Sequence, residues 1–142
     1  IFGHIETTDI ADNYLRMNPV AKAAWLKAID LYKKQIRPII DTCNVYHHTP
    51  FEDYTKRGEW LVLEYASKDK SKSIVGAFRL EDANESEYVV KPRGISCEGE
   101  YEAYLDNTGD KFTVSGYELN QKGFTVKLSG KTTSEIAVFT RK

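Results

Sequence analysis

Three acidic residues, Glu6, Asp9 and Asp12, recur at intervals of three near the start of the chain. Acids so placed invite a test for glycosidic-bond hydrolysis, which needs two carboxyl groups held about 5–10 Å apart, one commonly with a raised pKa. Charged groups are mostly solvated, so the plainer reading of the trio is a solvated first turn or a helix cap. No pair of acids in the chain is assigned as acid and nucleophile, and no catalytic residue is named. His47 and His48 are adjacent, so on an extended backbone they point to opposite sides and cannot share a metal. With His4 the only other histidine, a zinc cluster is not expected, and no metal or cofactor is implied.

Other chemistries find less support. There is no Gly-x-Ser-x-Gly elbow for serine nucleophiles, and no glycine-rich loop that would cradle phosphates. Nine tyrosines and two tryptophans offer material for a sugar-stacking platform. Trp60, Tyr65, Tyr88, Tyr101 and Tyr104 are the natural members, with Trp60 and Tyr65 the substrate-binding candidates. Aromatics at alternating strand positions are more often core or cross-strand pairs. Asn84-Glu85-Ser86 is a formal glycosylation sequon, a short pattern that recurs by chance.

The elements that would hold these residues follow from periodicity. Trp25, Ala28, Ile29, Tyr32, Ile36, Ile39 and Ile40 recur at three- and four-residue intervals, which predicts one long helix over about Val20 to Thr42. Asn18 suits the N-cap and Pro19 the first helical position. Pro38 predicts a kink near Lys34 or a break just before the proline. After Pro50 the period changes to two. Strands are expected at 60–65, 73–80, 87–91, 100–105, 111–114, 124–128 and 135–140, separated by turn chemistry such as Asn107-Thr108-Gly109-Asp110. The fold class is therefore mainly β: an antiparallel β-sandwich of about seven or eight strands preceded by one long α-helix. A single helix ahead of a sandwich has few sequence neighbours to bury it, and it makes sense as the last helix of a larger upstream domain.

Composition sets the outer bounds. The chain has 142 residues, 41% apolar and 29% charged, with net charge −1. This is the profile of an ordinary globular protein, too short for an eight-stranded α/β barrel of about 250 residues. Interspersed charge gives no field for nucleic acid or an anionic membrane. No stretch approaches a membrane span or a signal peptide, and the compartment stays open. Cys43 and Cys97 read as two unpaired small apolar residues, with a single disulfide as the lesser alternative. Because the chain opens on Ile1 rather than Met, it is expected to be the interior of a longer sequence.

Several ordered segments together resemble the C-terminal portion of α-galactosidases of glycoside hydrolase family 36. They are Tyr32-Lys33-Lys34-Gln35-Ile36-Arg37-Pro38-Ile39-Ile40, then Val45-Tyr46-His47-His48-Thr49-Pro50, Trp60 to Tyr65, and the strand ending Gly76-Ala77-Phe78-Arg79. Val90-Lys91-Pro92-Arg93-Gly94-Ile95 follows, and Ser115-Gly116-Tyr117-Glu118-Leu119 with Gly123 completes the series over about residues 20–142. The resemblance implies that residues 1–48 are the helical end of a truncated (β/α)8 barrel and 49–142 a C-terminal β-sandwich domain. It further implies an upstream barrel in the same polypeptide bearing two catalytic aspartates, which act with retention on α-galactosides or related oligosaccharides. Neither aspartate's motif occurs here, so the chain is expected to be a non-catalytic accessory domain, inactive alone. Trp25, Ile29, Tyr32 and Ile36 are then expected to form a barrel interface, with self-association of the isolated fragment as a consequence. Gly116, Glu118, Leu119 and Gly123 are expected to be a structural motif, with bends at both glycines. The alternative is a stand-alone carbohydrate-binding β-sandwich.

Overall fold

Asn18 caps the helix as its position requires: its Oδ1 accepts the Ala21 N–H at 2.9 Å, and Pro19 opens helix α1 (Pro19–Leu31). The computed structural model describes residues 16–50 and 59–142; Gly3, His4, Glu6, Asp9 and Asp12 lie outside them. The α-helix stops at Leu31, short of the expected Thr42, and continues as a π turn over Tyr32–Ile36. Arg37 N–H donates to Tyr32 O at 2.8 Å, the bond that closes the wider turn. Pro38 explains the change, because it has no N–H to donate and its ring crowds the turn before it. The seven residues of the apolar stripe, Trp25 to Ile40, are each half-buried or buried, and Ile36 is fully so.

The chain divides into two compact units, Ile1–Pro38 and Ile39–Lys142. Among its described residues the second holds eight strands: β1 (Asn44–His47), β2 (Trp60–Ala66), β3 (Lys72–Arg79), β4 (Glu87–Val90), β5 (Glu100–Leu105), β6 (Lys111–Ser115), β7 (Phe124–Lys127) and β8 (Thr133–Arg141). Helix α2 (Gly116–Gln121) joins β6 to β7. All seven expected strands are present as β2 to β8, and the antiparallel sandwich is as expected. The additional strand, β1, is short and mostly exposed, so its four residues carry little alternation.

One sheet has the order β1-β2-β3-β8-β5-β6 and the other pairs β4 with β7, all antiparallel. Directly paired residues share a face, so the registers of β2, β3, β8 and β5 place Val62, Val75, Ala77, Ala137, Phe139, Tyr101 and Ala103 on one side. These residues cluster with Val90 and Val126 from the small sheet and Leu119 from α2, giving the core. Burying a side chain as large as Phe139 contributes on the order of 1.5–3 kcal/mol. Strand β3 is buried on both sides from Ser73 to Ala77, and Ile74, Ile136 and Val138 of the second face are buried too.

Candidate functional site

On β2, the alternation that buries Trp60, Val62 and Ala66 carries Glu64 to the same face, where it is 0% exposed. A carboxylate without partners at such a place would cost several kcal/mol or more. Its two oxygens instead take four donors. Oε1 accepts Ser73 Oγ–H at 2.7 Å and Gly94 N–H at 2.8 Å; Oε2 accepts Arg93 N–H at 2.8 Å and His48 Nε2 at 2.8 Å. With the carboxylate ionised, His48 must carry its proton on Nε2.

Each donor is delivered by an identifiable element. Ser73 stands on β3, two residues from Val75, which is the direct partner of Glu64. His48 follows β1, and its backbone N–H donates to Val62 O at 3.0 Å. Arg93 and Gly94 lie just past β4, and here glycine is required. A Cβ on Gly94 would stand 2.0 Å from Ala66 Cβ and 2.9 Å from Glu64 Oε1. The Arg93 guanidinium lies over the Tyr46 ring, 4.9 Å from its centre, which adds a cation–π contact to the same loop. The segments 45–50, 60–65 and 90–95, far apart in sequence, thus meet on one carboxylate.

Burial pushes the Glu64 carboxyl up, but the bonds from His48, the Arg93 N–H, Ser73 and the Gly94 N–H together outweigh it and hold the group below its ordinary value of 4.5. A carboxyl depressed by folding stabilises the native state fully above the unfolded value, and that stabilisation is lost as pH falls through the folded one. The urea midpoint should therefore decline as the pH drops below about 4.5. Glu64→Gln should flatten that decline, and an unchanged acid slope in the variant would remove Glu64 from the account.

A second acid, Glu135 of β8, is also buried, and its Oε1 accepts the N–H groups of Asn107 and Ile136, both at 2.9 Å. Arg79, at the end of β3, is buried as well. Its Nη1 donates to Leu128 O and Ser129 O, and its Nη2 to Ala83 O and Asn84 O. These are ties between loops: the carboxylates are occupied by the protein's own donors, and the guanidinium is held by backbone carbonyls. Among the described residues no group of three or more His, Cys, Asp and Glu is arranged to hold a metal, and no helix is long and apolar enough to cross a membrane.

The two aromatic candidates do not come together. Trp60 and Tyr65 are five residues apart on β2, which places them on opposite faces. Trp60 is 9% exposed and belongs to the core, tilted against Tyr88 at 5.5 Å; Tyr65 is half-buried on the other side. Gly116 is not a positive-φ bend but the first residue of α2, capped by Ser115, whose Oγ accepts the Glu118 N–H at 3.1 Å. Gly123 does adopt positive φ, +77°. Leu119 is fully buried, whereas Glu118 is exposed and pairs with Lys122 at 3.3 Å. Cys43 and Cys97 are both free thiols.

Sequence reasoning passed over Glu64 because acids were sought outside the strands. The signal was its phase with Trp60 and Val62, which puts a charge on a face that must be buried.

A search among curated proteins finds no match. Among solved structures, the chain is similar to a variant of the GH36 α-galactosidase AgaA from Geobacillus stearothermophilus in complex with raffinose, at 21% identity and a TM-score of 0.69 over 90% of this chain. AgaB from the same organism gives 20% identity and 0.69 over 90%, and the α-galactosidase from Lactobacillus brevis 18% and 0.69 over 94%. The chain spans only 17%, 17% and 18% of those three proteins. These likenesses concern the fold. The sequence profile of the "Glycosyl hydrolase family 36 C-terminal domain" matches residues 60–139, the stretch from the first residue of β2 to the core residue Phe139. By that match the chain belongs to the glycosyl hydrolase family 36 C-terminal domain family.

Proposed function

We propose that this chain is the non-catalytic, C-terminal accessory part of a retaining glycoside hydrolase acting on α-galactosides or related oligosaccharides. In this reading the helical residues up to Pro38 end the catalytic barrel and those from Ile39, β1 included, form the appended sandwich, with Trp25, Ile29 and Tyr32 facing the barrel and Ile36 already buried within the chain. The observation that carries the non-catalytic reading is the state of Glu64. A glycosidase acid or nucleophile must reach the scissile bond, and here both oxygens are occupied by donors from the chain itself. The buried position of Trp60 also supports a scaffold over an open stacking platform.

The test is an assay of the purified chain with an aryl α-galactoside. No turnover above buffer is expected from folded material. Robust hydrolysis that disappears when one acid of this chain is changed to its amide would overturn the reading.

A further inference from the structure

The outer face of the large sheet, opposite the core, changes character from one end to the other. Directly paired residues share a face, so Glu102 of β5, Thr113 of β6 and Thr140 of β8 lie there together. With Glu100 and Lys111 they form the exposed polar surface that a solvated antiparallel sheet carries. At the β1–β2–β3 end the registers put Val45, Leu61, Leu63 and Phe78 on that same face. Apart from His47 and, at the start of β3, Lys72, every residue of these three strands on the outer face is apolar, glycine or tyrosine. Val45 is 51% exposed and Leu61 37%, while Leu63 and Phe78 are half-buried.

The two edges differ in the same sense. The β6 edge carries Lys111, and Lys142 Nζ donates to Thr113 Oγ1 at 2.7 Å. Lysines so placed discourage pairing with another chain. The β1 edge, Asn44-Val45-Tyr46-His47, has no lysine, acid or proline, and its outward side has no strand partner among the described residues. Because His48 N–H donates to Val62 O, the N–H and C=O groups of Val45 and His47 point outward.

We infer that the β1 edge and the apolar half of the outer face are the seat of the upstream part of the same polypeptide. A sheet that is charged and guarded at one end, yet apolar and unguarded at the other, is built to meet water at the first and protein at the second. Connectivity selects the occupant. β1 is the first strand after the helical segment, so whatever precedes that segment is tethered to β1 at high effective concentration, whereas a second copy must come from solution. The chain spans only a small part of the solved proteins it resembles, which leaves ample polypeptide for the purpose. The inference rests on the accessory reading for the existence of an upstream part. It adds a second surface that meets it, on the sheet, besides the helical residues Trp25, Ile29 and Tyr32.

The experiment is carbene labelling of the natural full-length polypeptide, read by mass spectrometry at Val45, Leu61 and Phe112. Phe112 on β6, 40% exposed, serves as the ruler. An open β1 end would label Val45 and Leu61 about as strongly as Phe112; a covered one should label them several-fold less at every protein concentration. Leu61→Lys should also lower the urea midpoint of the full-length protein, and Thr113→Lys, on the same face at the guarded end, should leave it unchanged. Labelling of Val45 and Leu61 equal to that of Phe112, or equal midpoints for the two variants, overturns the inference and leaves the accessory reading standing. Protection that fades on dilution makes a second copy the occupant and overturns it too. If intact mass shows the natural protein to be no longer than this chain, there is no upstream part, and the inference and the accessory reading fall together.

Discussion

Replacing Glu64 with glutamine should destabilise the chain by about 3–5 kcal/mol, the scale for breaking a buried charged hydrogen-bonded group. The reason is geometric. Each carboxylate oxygen accepts two donors, so whichever way the amide of glutamine is turned, its NH2 meets a backbone N–H head-on, that of Gly94 or that of Arg93, and either Ser73 Oγ–H or the His48 ring must turn to accept. The Arg93 and Gly94 loop would lose one of its two anchors, and one N–H group would be left unpaired. Urea unfolding at neutral pH measures the effect, with Glu118→Gln as the control. Glu118 is exposed and, among the described residues, its carboxylate pairs with Lys122 alone, so its loss should shift stability by less than about 0.5 kcal/mol. Equal stability of the two variants would show that the four bonds to Glu64 contribute little.

Gly116→Ala should be nearly as damaging, at about 3 kcal/mol or more. A Cβ there would sit 1.9 Å from Ser96 O and 3.2 Å from Tyr101 Cε2, and neither neighbour is free to retreat. Tyr101 is fully buried, with its O–H donating to Lys70 O at 2.8 Å and accepting the Ser96 N–H at 3.0 Å. Gly116 N–H itself donates to Gly99 O at 2.9 Å, which fixes the start of α2 against the 96–99 turn. Gly109→Ala separates this cause from backbone strain. Gly109 has φ +76° but nothing within 4 Å of a would-be Cβ, so its replacement should cost only about 1–2 kcal/mol. If the Gly109 variant proves the less stable of the two, close approach is not what selects glycine at Gly116.

How much of this was legible beforehand depends on range. The strands were, because alternation is a local property: Trp60, Val62 and Ala66 are buried while Leu61 is exposed, as period two requires. The helical stripe from Trp25 to Ile40 was legible for the same reason, and Pro38 announced a disturbance near Lys34. What the pattern could not supply was its form, a π turn beginning at Tyr32, because the chain's accommodation to proline depends on packing. Strand β1 escaped because Asn44 to His47 form a short, largely exposed edge.

The Glu64 centre was hidden for a different reason. Its partners lie 16, 9, 29 and 30 residues away, and no local rule connects His48 to Pro92-Arg93-Gly94. The segments were recognisable as a series, but the atom that makes them a series was not. Gly116 shows the same limit from the other side: a glycine was noticed, a bend was expected, and the actual requirement is the proximity of Ser96, twenty residues earlier.

The order of strands has a consequence for synthesis. The sheet is complete only when β8 lies between β3 and β5, and β8 is the last of its strands to leave the ribosome. Until Thr133–Arg141 emerges, β3 and β5 have finished edges and nothing to join them. The nascent chain must therefore hold two half-sheets, β1-β2-β3 and β5-β6, open to one another with their apolar faces incompletely covered. Pairings this distant along the chain form slowly, and unpaired edges invite association with other chains. A domain closed by its final strand is safest when something else shields those edges in the interval, whether a chaperone or sequence that has already folded upstream.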